Sequence, residues 1–146
     1  MYDHILVPTD GSNGTADTVA HAAHIAADND ATLYVLYVVD RRVYLAADEA
    51  AKDDLRDSME QDGEQAIASV TDQLADRDLD VVTAIREGVP HREITDYAET
   101  EGIDLVVMGT HGRTGRDRLA SMGSVTERVV EGVQLPVLVV HIDDGA

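Results

Sequence analysis

Short, nearly uninterrupted apolar runs alternate along the chain with longer stretches where apolar residues recur every three or four positions. The runs are His4 to Pro8, Thr32 to Val39, Leu79 to Ile85, Ile103 to Met108 and Val137 to His141. A strand covered on both faces has no polar side to show, so such runs predict central strands of a parallel sheet. In the first intervening stretch Ala16, Val19, Ala20, Ala23, Ala26 and Ala27 predict one face of a helix that ends near Asn29. Leu55, Met59, Ala66, Ile67, Val70 and Leu74 predict a second helix, ending near Asp76, behind a long acidic segment. Ile94, Tyr97 and Ala98 mark the inward face of a third, with Pro90 at its first position and Gly102 just past its end. The last helix runs from Ser124 to about Glu131. Asp10-Gly11-Ser12 reads as a turn that caps the first helix, and Glu87-Gly88-Val89-Pro90 as the turn after the third strand.

Five strands thus alternate with four helices, with no internal repeat and no linker, so residues 1–146 are expected to form a single domain. Strict alternation implies an α/β fold: a doubly wound parallel sheet in three layers, with helices on both faces. Ligands of such sheets sit beyond the strand C-terminal ends, where the strand order reverses. Pro8-Thr9-Asp10 and Met108-Gly109 both occupy such ends. If the first and fourth strands are neighbours, the two loops converge on a single crevice.

The chemistry concentrates in the second of these loops. Met108-Gly109-Thr110-His111-Gly112-Arg113 follows an apolar run, and Gly123-Ser124-Val125-Thr126-Glu127 opens a helix. Glycine lets backbone N–H groups approach a ligand closely, and a helix N-terminus is partially positive, so the pair makes a cradle for phosphate. Three glycines can equally be turn punctuation. Ser124 with Glu127 also matches a capping box, which needs no ligand, although a capped helix still has further N–H groups to offer. No Gly-Lys-Ser/Thr follows, and the G-x-G-x-x-G dinucleotide pattern is absent, so the loop is neither of those phosphate binders.

Charge changes the picture. Twenty Asp and nine Glu oppose ten Arg and one Lys, for a net −18, and there is no Phe, Trp or Cys. Ordered apolar runs argue against disorder. The acids are spread along the chain rather than gathered in a tail, which fits a surface adapted to very high salt. Without clustered Lys and Arg a nucleic-acid partner is not expected, and without cysteine disulfides and thiolate metal sites are excluded. The longest apolar run, Leu33 to Val39, is far short of a membrane span, and Met1 to His4 shows no signal-peptide pattern; a cytoplasmic protein without a membrane partner is expected. The net charge does not forbid a bound nucleotide. In 1 M salt the screening length is about 3 Å, and Arg113, Arg116 and Arg118 in the glycine loop give the locality the right sign.

Pro8-Thr9-Asp10-Gly11-Ser12 after the first strand, Met108 through Gly115, and Gly123-Ser124-Val125-Thr126-Glu127-Arg128-Val129-Val130 together resemble the universal stress protein family over essentially the whole chain. The resemblance implies a five-stranded parallel sheet of order 3-2-1-4-5, a homodimer and, in one branch, bound ATP with magnesium held by the phosphates. By position, Pro8, Thr9 and Asp10 would border the nucleoside, with the Asp10 carboxylate near the ribose. Val38 would offer backbone groups to adenine, and Gly109 would lie against the ribose. Gly112, Arg113, Gly123, Ser124, Val125 and Thr126 would surround the phosphates, with Met108 and His111 as neighbours. Arg113 to Met122 makes the spacing between the last two glycines one residue longer than is usual in the ATP-binding branch.

The expected function is therefore a small stress-response regulator that binds ATP or another adenine nucleotide. The alternative is a nucleotide-free scaffolding dimer in which the same loops only cap a helix. No catalytic residue is assigned: His111 has no nucleophile or fixed carboxylate near it in sequence. No metal-binding residue is assigned either, since His4, His21, His24, His91 and His141 are scattered. The last strand, Val137 to Val140, is a short apolar edge that invites pairing with the same strand of a second copy.

Overall fold

A computed structural model describes residues 1–110 and 123–142. Its elements run β1 (His4–Thr9), α1 (Thr15–Asn29), β2 (Thr32–Asp40), α2 (Arg41–Leu45), α3 (Lys52–Gln73), β3 (Val81–Gly88), α4 (Pro90–Thr100), β4 (Leu105–Gly109), α5 (Ser124–Gly132) and β5 (Val137–Val140). The strands form one parallel sheet of order β3-β2-β1-β4-β5. The chain winds outward from β1 in one direction and then, after β3, outward in the other. The reversal falls between β1 and β4, which pair at Ile5↔Leu105 and Leu6↔Val106.

Alternate residues of each central strand feed two separate cores. Ile5, Val7, Leu33, Val35, Leu105 and Val107 face α1 and α3, where they meet Val19, Ala22, Ala23, Ala26 and Val70. Leu6, Leu36, Val106 and Met108 face α4 and α5, against Ile94, Tyr97, Ala98 and Val129. Burial on both sides is why these strands carry no polar alternation. The edge strand β3 is covered less completely, with Val82, Thr83, Arg86 and Glu87 exposed.

Several local expectations are corrected. A fifth helix, α2, follows β2 directly, ahead of the acidic stretch, and Asp40 caps it by accepting from the Arg42 backbone N–H at 3.1 Å. β3 starts at Val81 rather than Leu79 and absorbs Glu87 and Gly88, because β2 pairs with it as far as Asp40↔Gly88. The buried stripe of α1 passes through Val19, Ala22, Ala23 and Ala26, leaving Ala16 and Ala27 exposed. Alanine is equally at home on either face, so a helix this rich in alanine does not declare its orientation. α3 ends at Gln73, short of Asp76. Gly102 does end α4 as its sequence position suggested: it sits at φ +66°, and the Ile103 N–H reaches back to the Ala98 carbonyl at 2.9 Å.

Candidate functional site

The β1–α1 turn is built by its own side chains. The Ser12 N–H donates to Asp10 Oδ1 at 3.0 Å, the Gly11 N–H to Thr9 Oγ1 at 3.1 Å, and the Thr9 and Thr15 hydroxyls meet at 3.0 Å. Short polar side chains that bond to backbone two residues on make this turn and keep the chain out of helix until Thr15. The N-cap of α1 is Gly14, not the Asp10–Ser12 turn.

Across the reversal, β4 delivers Met108 and Gly109 to the same rim. α5 begins beside them. Its N-cap is Gly123, with extended backbone and no side-chain cap, so Ser124 and Glu127 do not form the capping box their spacing suggested. As first-turn residues, Ser124, Val125 and Thr126 have N–H groups with no acceptor inside their own helix. The Gly123 N–H instead bonds the Thr110 carbonyl, and the buried Thr126 hydroxyl donates to the Gly109 carbonyl at 2.8 Å. These two bonds tie the start of α5 to the end of β4 and aim the helix N-terminus along the rim.

A cleft of about 290 Å³ opens where these parts meet. Pro8, Thr9, Asp10, Val38, Met108, Gly109, Gly123, Ser124, Val125 and Thr126 all line it. The sequence had named these ten from four separate stretches, and the switch point brings them to one place. The other three named residues, His111, Gly112 and Arg113, lie outside the described residues, as does the longer loop spacing up to Met122.

The cleft also has walls that local patterns did not announce. Met59 reaches it from α3, Pro90 and Ile94 from α4, and Asp40 from the end of β2. Met59 and Ile94 belong to helical stripes, so both read simply as core. Asp40 could have been found only from its place two residues beyond Val38. Ile142, past β5, fills the space between two glycines: a Cβ on Gly14 would lie 2.6 Å from Ile142 Cδ1, and one on Gly109 2.8 Å from Ile142 Cγ1. The Ile142 N–H is held by Thr110 Oγ1 at 3.0 Å. The missing Cβ of Gly109 therefore makes room for an isoleucine.

The arrangement can do two things chemically. Leu36, Val38, Met59, Pro90 and Ile94 offer an apolar slot for a flat ring, and the α5 N-terminus offers amides and a partial positive charge to an anion. Side-chain charge near the rim is orderly. Arg42 hydrogen-bonds Asp40 and holds its carboxyl below the usual carboxylate range. Burial, then the cations Arg128, Arg92 and Arg42, push His91 below the ordinary histidine range. Among the described residues no three metal-ligating side chains gather, and no helix is long and apolar enough to cross a membrane.

The sequence model of the Universal stress protein family matches residues 1–141. A universal stress protein of Methanocaldococcus jannaschii is 37% identical over 141 residues, spanning 96% of this chain and 82% of its own. The solved structure of another protein, MJ0577, described as a test case for assigning biochemical function from structure, superposes with a TM-score of 0.86 at 31% identity, covering 99% of both chains. UspA of Lactobacillus plantarum superposes at 0.84 with 32% identity, covering 95% of this chain and 97% of its own.

Proposed function

The chain belongs to the universal stress protein family, and from that premise we propose that it binds ATP, or another adenine nucleotide, in the cleft at the switch point. The observation that carries the reading is the convergence of ten motif residues from β1, β2, β4 and the start of α5 on one cleft. The base occupies the apolar slot beside Val38. The Asp10 carboxylate accepts from the ribose hydroxyls, and Pro8, Thr9, Met108 and Gly109 border the nucleoside. The phosphates take the N–H groups of Ser124, Val125 and Thr126 together with Gly112, Gly123 and Arg113, with His111 nearby. The donor set suits this cargo, since amides and a helix N-terminus hold an anion whose own oxygens carry any Mg²⁺.

Binding rather than turnover is the proposed activity, with nucleotide occupancy regulating partner choice in a cytoplasmic stress response. β5 has four residues and no strand partner on its outer side among the described residues, and Leu138 on it is exposed. Antiparallel pairing of this edge with a second copy would satisfy its open N–H and C=O groups and gives the proposed homodimer. Neither nucleic acid nor membrane is a partner in this reading. The net charge of −18 with a single Lys belongs to a protein of a salt-rich cell.

Isothermal titration with ATP, ADP and AMP in multi-molar salt tests the reading, alongside mass spectrometry of protein purified without added nucleotide. Saturable heat supports it. No heat with any of the three, and no co-purified nucleotide, leaves the scaffolding dimer in its place.

A further inference from the structure

The apolar slot carries one charged side chain with no part in the nucleotide reading above. Asp40 ends β2, lies in register with Gly88 and lines the cleft in company with Val38 and Met59. Its carboxylate is fixed. Oδ1 accepts from the Arg42 backbone N–H at 3.1 Å and from Nε at 2.9 Å, and Oδ2 accepts from Nη2 at 2.8 Å. The same guanidinium keeps the group ionised at neutral pH. An ionised carboxylate accepts and never donates, and its two oxygens offer about four lone-pair sites, of which Arg42 takes three. One acceptor site is left, on a group held still at the edge of a slot otherwise walled by Leu36, Val38, Met59, Pro90 and Ile94.

We propose that Asp40 determines which purine the cleft takes, accepting a hydrogen bond from the exocyclic amine of a 6-aminopurine and opposing the carbonyl of a 6-oxopurine. The inference rests on the reading that a nucleotide occupies this cleft, and it assigns the choice of base to a side chain outside the glycine loop. At position 6 itself an oxo oxygen meets the carboxylate acceptor to acceptor, and the proton of that edge sits one ring atom away, on N1. Arg42 acts as a positioning residue: it points the carboxylate without touching the base.

The test compares ATP with ITP, which presents a 6-oxo group in place of the amine, by isothermal titration of the full chain at one fixed salt. Wild type should favour ATP by roughly tenfold or more, because a polar edge left facing the wrong partner is costly. Asp40→Asn and Asp40→Ser both retain an N-cap for α2, so the fold is kept while the acceptor-only edge is lost. In both, the ATP-to-ITP ratio should fall severalfold, leaving only what the Val38 backbone contributes, with thermal melting showing that the fold survives. Equal wild-type affinity for the two nucleotides overturns the inference, as does a ratio unchanged in both variants. Absence of heat with ATP, ADP and AMP alike is a different result, and it removes the nucleotide reading itself.

Discussion

Replacing Gly109 by alanine adds one methyl group at the centre of the site, and the structure sets its consequence. Gly109 lies outside the left-handed region, so an alanine backbone is unstrained there and the cost is steric alone. The new Cβ would lie 2.8 Å from Ile142 Cγ1, 3.0 Å from Cδ1 and 3.4 Å from Thr18 Oγ1. Carbon pairs prefer roughly 3.5–4.0 Å, so Ile142 must retreat by more than half an ångström. Retreat is opposed by the Thr110 hydrogen bond to its backbone and by Gly14 on its far side. Overpacking of this kind costs about 1–3 kcal/mol, which for a chain of this length lowers Tm by roughly 2–4 °C per kcal/mol. Ile142→Ala by itself destabilises too, by about 2 kcal/mol, at the low end for a buried isoleucine because the residue follows the last strand. The double variant decides the matter, since removing the isoleucine removes the clash. Gly109→Ala should then be nearly silent in the Ile142→Ala background, with an interaction energy of about the same 1–3 kcal/mol. Urea denaturation followed by circular dichroism, at one salt concentration throughout, measures all four corners. Simple additivity within about 0.5 kcal/mol would refute the claim that Gly109 is glycine to admit Ile142.

Gly123→Val should abolish ATP binding by titration while leaving the melting curve near wild type, since the substitution crowds the amides at the α5 N-terminus but keeps an extended residue at the cap. Loss of the fold together with binding would make that glycine structural instead. Gly102→Ala should cost about 1 kcal/mol, because φ +66° disfavours any Cβ although no neighbour lies within 4 Å of it; a neutral result in urea denaturation would contradict the left-handed cap. For His91, burial and the nearby cations favour the neutral ring in the folded state. The unfolded chain therefore takes up the proton first as pH falls below the ordinary histidine value, and stability drops there. His91→Gln should remove that part of the loss, so its stability should decline less steeply than that of wild type between pH 7 and 5; parallel curves would refute the assignment.

Much of the site was legible because its parts are punctuated locally. Pro8-Thr9-Asp10 after one apolar run and Gly109 after another are visible without any tertiary knowledge, and so is Gly123 at a helix start. What stayed hidden has physical reasons. Met59 and Ile94 sit on helical stripes whose spacing says only that they face inward, not that they face a cleft. Asp40 looked like one of twenty aspartates, and its meaning comes from Arg42 and from β2 ending where it does. Ser124 and Glu127 have the right spacing for a capping box, yet the helix starts one residue too early for Ser124 to be the cap.

The sequence by itself determined the order and kind of the five strands and of every helix but the short α2, since a run buried on both faces and an amphipathic stripe are periodicities that each segment carries alone. It also determined that any ligand site would lie at strand ends carrying glycine, proline and aspartate. Only the tertiary structure decided that β1 and β4 are neighbours, because pairing residues a hundred positions apart depends on every helix crossing between them. That adjacency joins Asp10, Val38 and Gly123 around one cleft and sends Met59, Asp40 and Ile142 into its walls. The orientation of α1 was likewise a tertiary choice: alanine buries comparably little on any face, so the packing against β1 and β4 selected the stripe.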